Sequence, residues 1–219
     1  MNAKVLVTPV VVILLLSVLV AGLASVPAAA QSNTLGKALD NQNLSWSTGG
    51  TITTYAFYGG YYSTQAANTS GWYSENSVWH SGGSAAESYV YAYAGGLHEG
   101  VLSDQAYLKT VVNGPGILGF YWKLNASTST CNISFYVDGK LSKVLSINPT
   151  AANPSEWTQV TVSIGPGQHT ITWTATALPS AGYTTVACAY VDTVTWTGLH
   201  GPLRLPVVTL IGPLDQQHP

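Results

Sequence analysis

From Gly114 to Trp196 apolar residues alternate with polar or small ones in short runs bounded by Gly, Pro, Asn or Ser. The runs are GPGILGFYWKL (Gly114 to Leu124), ISFYVDGK (Ile133 to Lys140), EWTQVTVSIGPGQHTITW (Glu156 to Trp173) and VACAYVDTVTW (Val186 to Trp196). A period of two over such lengths predicts half-buried β-strands, and their succession predicts a β-sandwich. Leu118, Phe120, Trp122 and Leu124 fall on one face and are assigned to the core; Gly119, Tyr121 and Lys123 fall on the other. Asp138-Gly139 accepts the positive φ values of a tight hairpin and should join Ile133–Val137 to Val144–Ile147. Asn113-Gly114-Pro115-Gly116 closes the strand Ala106 to Val112, and Gly165-Pro166-Gly167 connects Val160–Ile164 to Thr170–Thr176. In that last strand Ile171 and Trp173 point one way, while Thr170, Thr172 and Thr174 form a polar face.

Upstream, Leu44 to Ser47 reads as a first strand, with further strands at Ile52–Tyr58 and Tyr89–Tyr93. The stretch 51–96 differs in composition from the later strands: it is rich in Gly, Ser and Tyr and reads as an inserted, aromatic segment. No part of the chain beyond residue 30 sustains a helical period. The prediction is an all-β, antiparallel, jelly-roll-like β-sandwich, a single domain over 31–198, followed by a Pro-rich tail or linker over 199–219.

The first 30 residues fall outside that domain. Lys4 precedes an apolar run from Val10 to Leu23, and Ala28-Ala29-Ala30 supplies an A-x-A site, the layout of a secretory signal peptide. The rival reading is a retained membrane anchor. Only 7% of the residues are charged and the net charge is −2, with no basic run, which argues against nucleic acid as a partner. With so few charges, hydroxyl and amide groups or attached sugars must keep the surface wet. Asn43, Asn68, Asn125 and Asn132 each open an N-x-S/T sequon and are glycosylation candidates. Cys131 and Cys188 are the only cysteines. In an exported chain they are expected to pair, a closure contributing about 4 kcal/mol through chain entropy.

The segments LDNQNLSWSTGG, LSDQAYLKTVVNGPGILGFYWKL, ISFYVDGK, EWTQVTVSIGPGQHTITW and AYVDTVTW resemble a module repeated in large secreted bacterial surface proteins. That module is a jelly-roll-like domain similar to MAM, cleaved-adhesin and carbohydrate-binding modules. The resemblance spans Leu39 to Trp196 and implies a non-catalytic part of an adhesin, surface protein or polysaccharide-degrading enzyme. It further implies a structural Ca²⁺ held by a last-strand carboxylate, a position matched by Asp192, with Glu99 and Asp104 as partners; no other cofactor is expected. The competing reading has Asp192 bonded to backbone at a bulge, which would let Val191 and Val194 share the core.

Catalytic patterns are missing. Glu87, Glu99 and Glu156 have no spacing that sets them across a cleft, and there is no G-x-S-x-G elbow. His80, His98 and His169 lack zinc-ligand spacing. The remaining lead is aromatic: Tyr58, Tyr61, Tyr62, Trp72, Trp79, Tyr89, Tyr91 and Tyr93 lie close together in sequence. Rings with an apolar face and a polar tip suit stacking on sugars, and Tyr89, Tyr91 and Tyr93 would share one strand face. The alternative is that these rings form a secondary core. The expectation is therefore a secreted module that binds glycan or cell-surface ligands through an aromatic platform. The second reading is a subunit of an extracellular filament or surface layer, whose tail segment Val207–Ile211 completes a neighbour's sheet.

Overall fold

The computed structural model describes residues 34–58, 61–69, 71–93, 99–126, 131–147, 155–178 and 184–199. The signal-like segment, His98 and the tail with Val207–Ile211 lie outside the described residues. Among those described, no helix is long and apolar enough to cross a membrane. Among the described residues nine strands follow one helical turn over residues 34–38: β1 (Trp46–Tyr58), β2 (Tyr61–Thr69), β3 (Tyr73–Glu75), β4 (Ala85–Tyr93), β5 (Glu99–Ala126), β6 (Cys131–Val137), β7 (Lys140–Ser146), β8 (Thr158–Ala177) and β9 (Thr184–Gly198). All pairings are antiparallel. The fold is the expected jelly-roll-like β-sandwich.

Two strands are far longer than the sequence pattern suggests. β5 has 28 residues and β8 has 20. β8 pairs along its whole length with Asp104 to Trp122 of β5, and their two Gly-Pro-Gly motifs meet, with Gly114 opposite Gly167 and Gly116 opposite Ile164. Neither motif closes a hairpin. Each is a corner within one continuous strand, where the β5–β8 pair folds from one layer into the other. The first layer runs β2–β1–β5–β8–β6–β7, using the first half of β5 and the second half of β8. The second runs β8–β5–β9–β4–β3, using the opposite halves.

Residue counting across the corner explains how one strand pair lines both inner faces. In β5 the even positions stay inward throughout: Ala106, Leu108 and Val112, then Leu118, Phe120, Trp122 and Leu124. At the corner β8 carries one residue more than β5, a bulge. Its inward set accordingly switches from Val160 and Ile164 to Ile171, Trp173, Ala175 and Ala177. The layers meet through rings: Phe120 of the second layer lies 4.9 Å from Phe135 and 5.2 Å from Trp173 of the first, centroid to centroid. Leu35, Ala38 and Leu39, carried by the helical turn and the residue after it, are fully buried. The period of two that dominates the chain hides so short a turn.

The Asp138-Gly139 hairpin forms as expected, with φ of 52° and 75°, although β7 begins at Lys140 rather than Val144. The described residues of the segment 51–96 form paired strands in both layers. They supply the outer part of β1, all of β2 and β3, and β4, which lies between β3 and β9 in the second layer.

The glycine corner is a steric requirement that can be measured. A Cβ on Gly114 would stand 1.9 Å from the Gly165 carbonyl oxygen, and one on Gly116 would stand 2.3 Å from the Trp196 ring. A Cβ on Gly165 would meet nothing within 4 Å. In urea unfolding, Gly114→Ala should cost about 3 kcal/mol or more, while Gly165→Ala should stay within about 1 kcal/mol of the parent.

Candidate functional site

The platform expected from sequence is divided by the fold into separate surfaces. In β4 the alternation turns Val90 and Ala92 inward and presents Tyr89, Tyr91 and Tyr93 outward, with Tyr89 51% and Tyr93 39% exposed. These three do share one strand face. Tyr61 and Tyr62 sit instead on the β1–β2 hairpin, where the Tyr62 ring packs 4.6 Å from Phe57 and 6.3 Å from Tyr55. The Tyr58 backbone pairs with Tyr61, and its side chain lies outside the described residues. Trp79 is exposed in the loop between β3 and β4. Trp72 belongs to no surface: it is fully buried in the core, its backbone N–H donating to Thr48 Oγ1 at 2.6 Å. Its position just before an exposed strand disguises it, because a residue leading into an edge strand is still free to turn under the sheet.

Strand pairing adds residues to the β4 face that spacing alone does not collect. Across the outer surface of the second layer, Tyr73 of β3 is opposite Glu87 of β4, Glu87 is opposite Tyr190 of β9, and Tyr190 is opposite Lys123 of β5. The Tyr73 and Tyr190 phenols and the Cys188 thiol cluster around Glu87, which is nearly buried among them. Burial first, and then neighbouring charge that includes Glu87, holds both phenols above their ordinary range. Burial, and then the neighbouring Glu87, push the Cys188 thiol to about 11. These groups therefore keep their protons at neutral pH and stay donors. One row further along, His80 stacks on Tyr121 at 3.6 Å, and Trp157 lies edge-on to His80 at 5.9 Å. For Glu87, Tyr121, Lys123, Cys188 and Tyr190 the signal is in the sequence: they occupy the alternate positions of the same strands that define the core. Which of them become neighbours depends on register.

Asp192 follows the bulge reading. Its side chain is fully buried and accepts hydrogen bonds from the backbone N–H groups of His80 (2.7 Å), Ser81 (3.1 Å) and Thr193. Thr193 has φ of 51°, and the register shifts there so that Val191 and Val194 both point into the core. The carboxylate thus ties the 76–84 loop across β9 and sets His80 over Tyr121. Burial raises its pKa, as does nearby Asp40. A calcium site needs six to eight oxygens around the ion, and Asp192 is surrounded by N–H donors instead. Asp104 is committed elsewhere, accepting from the Tyr91 N–H at 3.0 Å. The Glu99 side chain lies outside the described residues. Among the described residues no three His, Cys, Asp or Glu side chains converge.

The cross-link expected between Cys131 and Cys188 is not formed; both are free thiols. Cys131 opens the inward series with Ile133 and Phe135, whereas Cys188 belongs to the outward series of β9 with Tyr190. The two point to opposite sides of the sandwich wall, and burial pushes Cys131 to about 12. Of the sequon residues, Asn43, Asn68 and Asn125 are exposed and Asn132 is half-buried.

No protein-family model matches the chain, and no curated protein matches it. Among solved structures it is similar to a cleaved adhesin domain of Lys-gingipain from Porphyromonas gingivalis, at 20% identity and TM-score 0.43 over 59% of this chain and 85% of that one. It is also similar to TmCBM61 in complex with β-1,4-galactotriose, at 14% identity and TM-score 0.34 over 55% and 74% of the two chains. A third likeness is to carbohydrate-binding modules of the β-sandwich superfamily, at 13% identity and TM-score 0.38 over 72% and 76%. Likenesses this distant do not transfer a function, which must be argued from the site.

Asp104 gives the site a pH signature. Burial raises its pKa from 3.8 to about 6 against the lowering effect of the Tyr91 hydrogen bond. The folded protein then holds a proton that the unfolded chain has released, so stability falls as pH rises through the window from about 4 to about 6. Asp104→Asn keeps an acceptor for Tyr91 without a titrating group, and its melting temperature should lose that part of the decline.

Proposed function

We propose that this chain is an exported, non-catalytic binding module that recognises glycans through the outer face of its second layer. The observation that carries this reading is the tyrosine ladder: Tyr89, Tyr91 and Tyr93 lie outward on one strand, held by a core face of Val90 and Ala92. Strand positions two apart recur about every 6.6 Å, so the rings offer a row of apolar faces on a rigid element. Tyr73, 42% exposed, extends the row sideways. Glu87, Tyr190 and Cys188, grouped by register with Tyr73 and Tyr89, place polar groups beside those faces. Ring faces for the sugar plane and fixed polar groups for its hydroxyls are the two things a carbohydrate site requires.

Polysaccharide pull-down and a glycan array should show binding by the parent chain. Replacing Tyr89, Tyr91 and Tyr93 together by Ala should weaken it at least tenfold, about 1.4 kcal/mol or more, without lowering the melting temperature. A parent chain that binds no glycan would sink this reading.

A second reading, self-assembly by strand addition, is favoured by β2. This edge strand is exposed over almost its whole length and contains neither a charged residue nor Pro. The other edges are blunted: β7 carries Lys140 and Lys143, and β3 has 3 residues ending in Glu75. Long uncharged edges are templates for pairing. Light scattering should then find the parent chain as oligomers and the Thr64→Lys, Ala66→Lys double variant as monomers. A monomeric parent at its highest soluble concentration would rule assembly out.

A further inference from the structure

The outer face of the first layer holds a groove that the tyrosine ladder does not use. It is open, about 420 Å³ in volume, and runs along the second half of β8. Thr170, Thr172 and Thr174 form its floor, since Ile171 and Trp173 between them turn into the core. Register builds the walls: on one side Tyr107 stands opposite Thr174 and Lys109 opposite Thr172, and on the other Tyr136 stands opposite Thr172. Short residues in the middle strand flanked by long ones on both neighbours make a trough rather than a flat sheet. Gly49 on β1 leaves space for the Tyr107 ring, because a Cβ there would come 2.5 Å from the Tyr107 hydroxyl.

The chemistry of this trough is specific. Three hydroxyls line the floor, each able to donate and to accept, with the Gln105 amide beside them. Lys109 is the one cation among the lining residues, and its Nζ is held 4.4 Å above the Tyr107 ring centroid. Among the described residues it has no carboxylate partner; the ion pair found there is His169 with Asp138. Asp138, at the Gly139 end, is already engaged: Oδ2 lies 2.7 Å from His169 Nδ1, and Oδ1 accepts from the Thr170 N–H at 2.8 Å. The field inside the groove is therefore that of one positioned ammonium above a bed of hydroxyls. Its complement is a polyol bearing a carboxylate.

We infer that this groove is a second binding site, for a chain of acidic sugar (uronate) residues, with Lys109 pairing the carboxylate, the threonines meeting the sugar hydroxyls and Tyr136 forming the apolar wall. It extends the glycan reading to the opposite side of the sandwich but stands on different side chains. Two sites on opposite faces would let one module bridge two polysaccharide chains.

Isothermal titration of the full chain with a galacturonate oligosaccharide, and with a neutral galactose oligosaccharide of the same length, tests this. The acidic oligomer should bind more tightly than the neutral one, and less tightly as ionic strength rises. Lys109→Gln and Thr172→Val should each weaken it, Lys109→Gln at least tenfold, with the melting temperature unchanged. The Tyr89→Ala, Tyr91→Ala pair should bind the acidic oligomer as the parent does, so failure at the ladder and failure at the groove read out separately. Equal affinity of Lys109→Gln and the parent, absence of binding, or equally tight binding of polyglutamate would each overturn the proposal.

Discussion

Everything in this molecule depends on the register at which β5 and β8 meet. Two Gly-Pro-Gly motifs, 51 positions apart at their first glycines, are set nearly opposite each other in the sheet. The contact is tight enough that Gly114 has no room for a Cβ beside the Gly165 carbonyl. A slip of one residue in either strand would turn its whole buried set outward. Because the pair folds there, the same register that buries Leu108 beside Trp173 also sets Phe120 against Trp173 and Phe135 across the core. The core and the corner are one constraint.

The outward faces derive from it. A bulge in β8 at the corner, and a second in β9 at Asp192 and Thr193, each flip the alternation once. Each flip keeps apolar residues inside beyond the bend and decides which polar and aromatic residues face out. Asp192 is the clearest case: three backbone N–H groups converge on its buried carboxylate, and this anchors the loop that brings His80 onto Tyr121. The carboxylate that family resemblance assigns to a cation works here as an anchor for backbone donors. The surfaces on which the functional reading rests are thus the reverse sides of core strands, which gives their rings fixed positions.

Much of the scaffold is legible in the sequence, and the boundary of that legibility is physical. Alternation alone identifies the inward faces of β5 and β8, and it correctly sets Tyr89, Tyr91 and Tyr93 on one face. Asp138-Gly139 is readable because its turn needs positive φ, which few residue pairs accept. The Gly-Pro-Gly motifs mislead, because the same residues serve a hairpin and a strand corner; only the partner strand distinguishes them. Trp72 misleads because composition cannot tell a ring that packs from one that presents itself. Cys131 and Cys188 mislead because exported cysteines suggest pairing, whereas strand parity sends the thiols to opposite sides. Tyr73, Glu87 and Tyr190, and likewise Tyr107, Lys109 and Tyr136, come together only across strands, so neither set can be assembled without register.

The reading that ligand is recognised on the outer face of the second layer, at positions the shared corner makes rigid, is tested most directly by chemical-shift mapping of the isotopically labelled chain. The titrant is a neutral oligosaccharide that binds in pull-down. Shifts should concentrate at the amides of Tyr73, Tyr89, Tyr91 and Tyr93, with Tyr107 and Tyr136 on the opposite layer undisturbed. Shifts confined to the β1–β2 hairpin around Tyr61 and Tyr62, or spread through the core strands without a surface focus, would overturn that view of how the molecule meets its ligand.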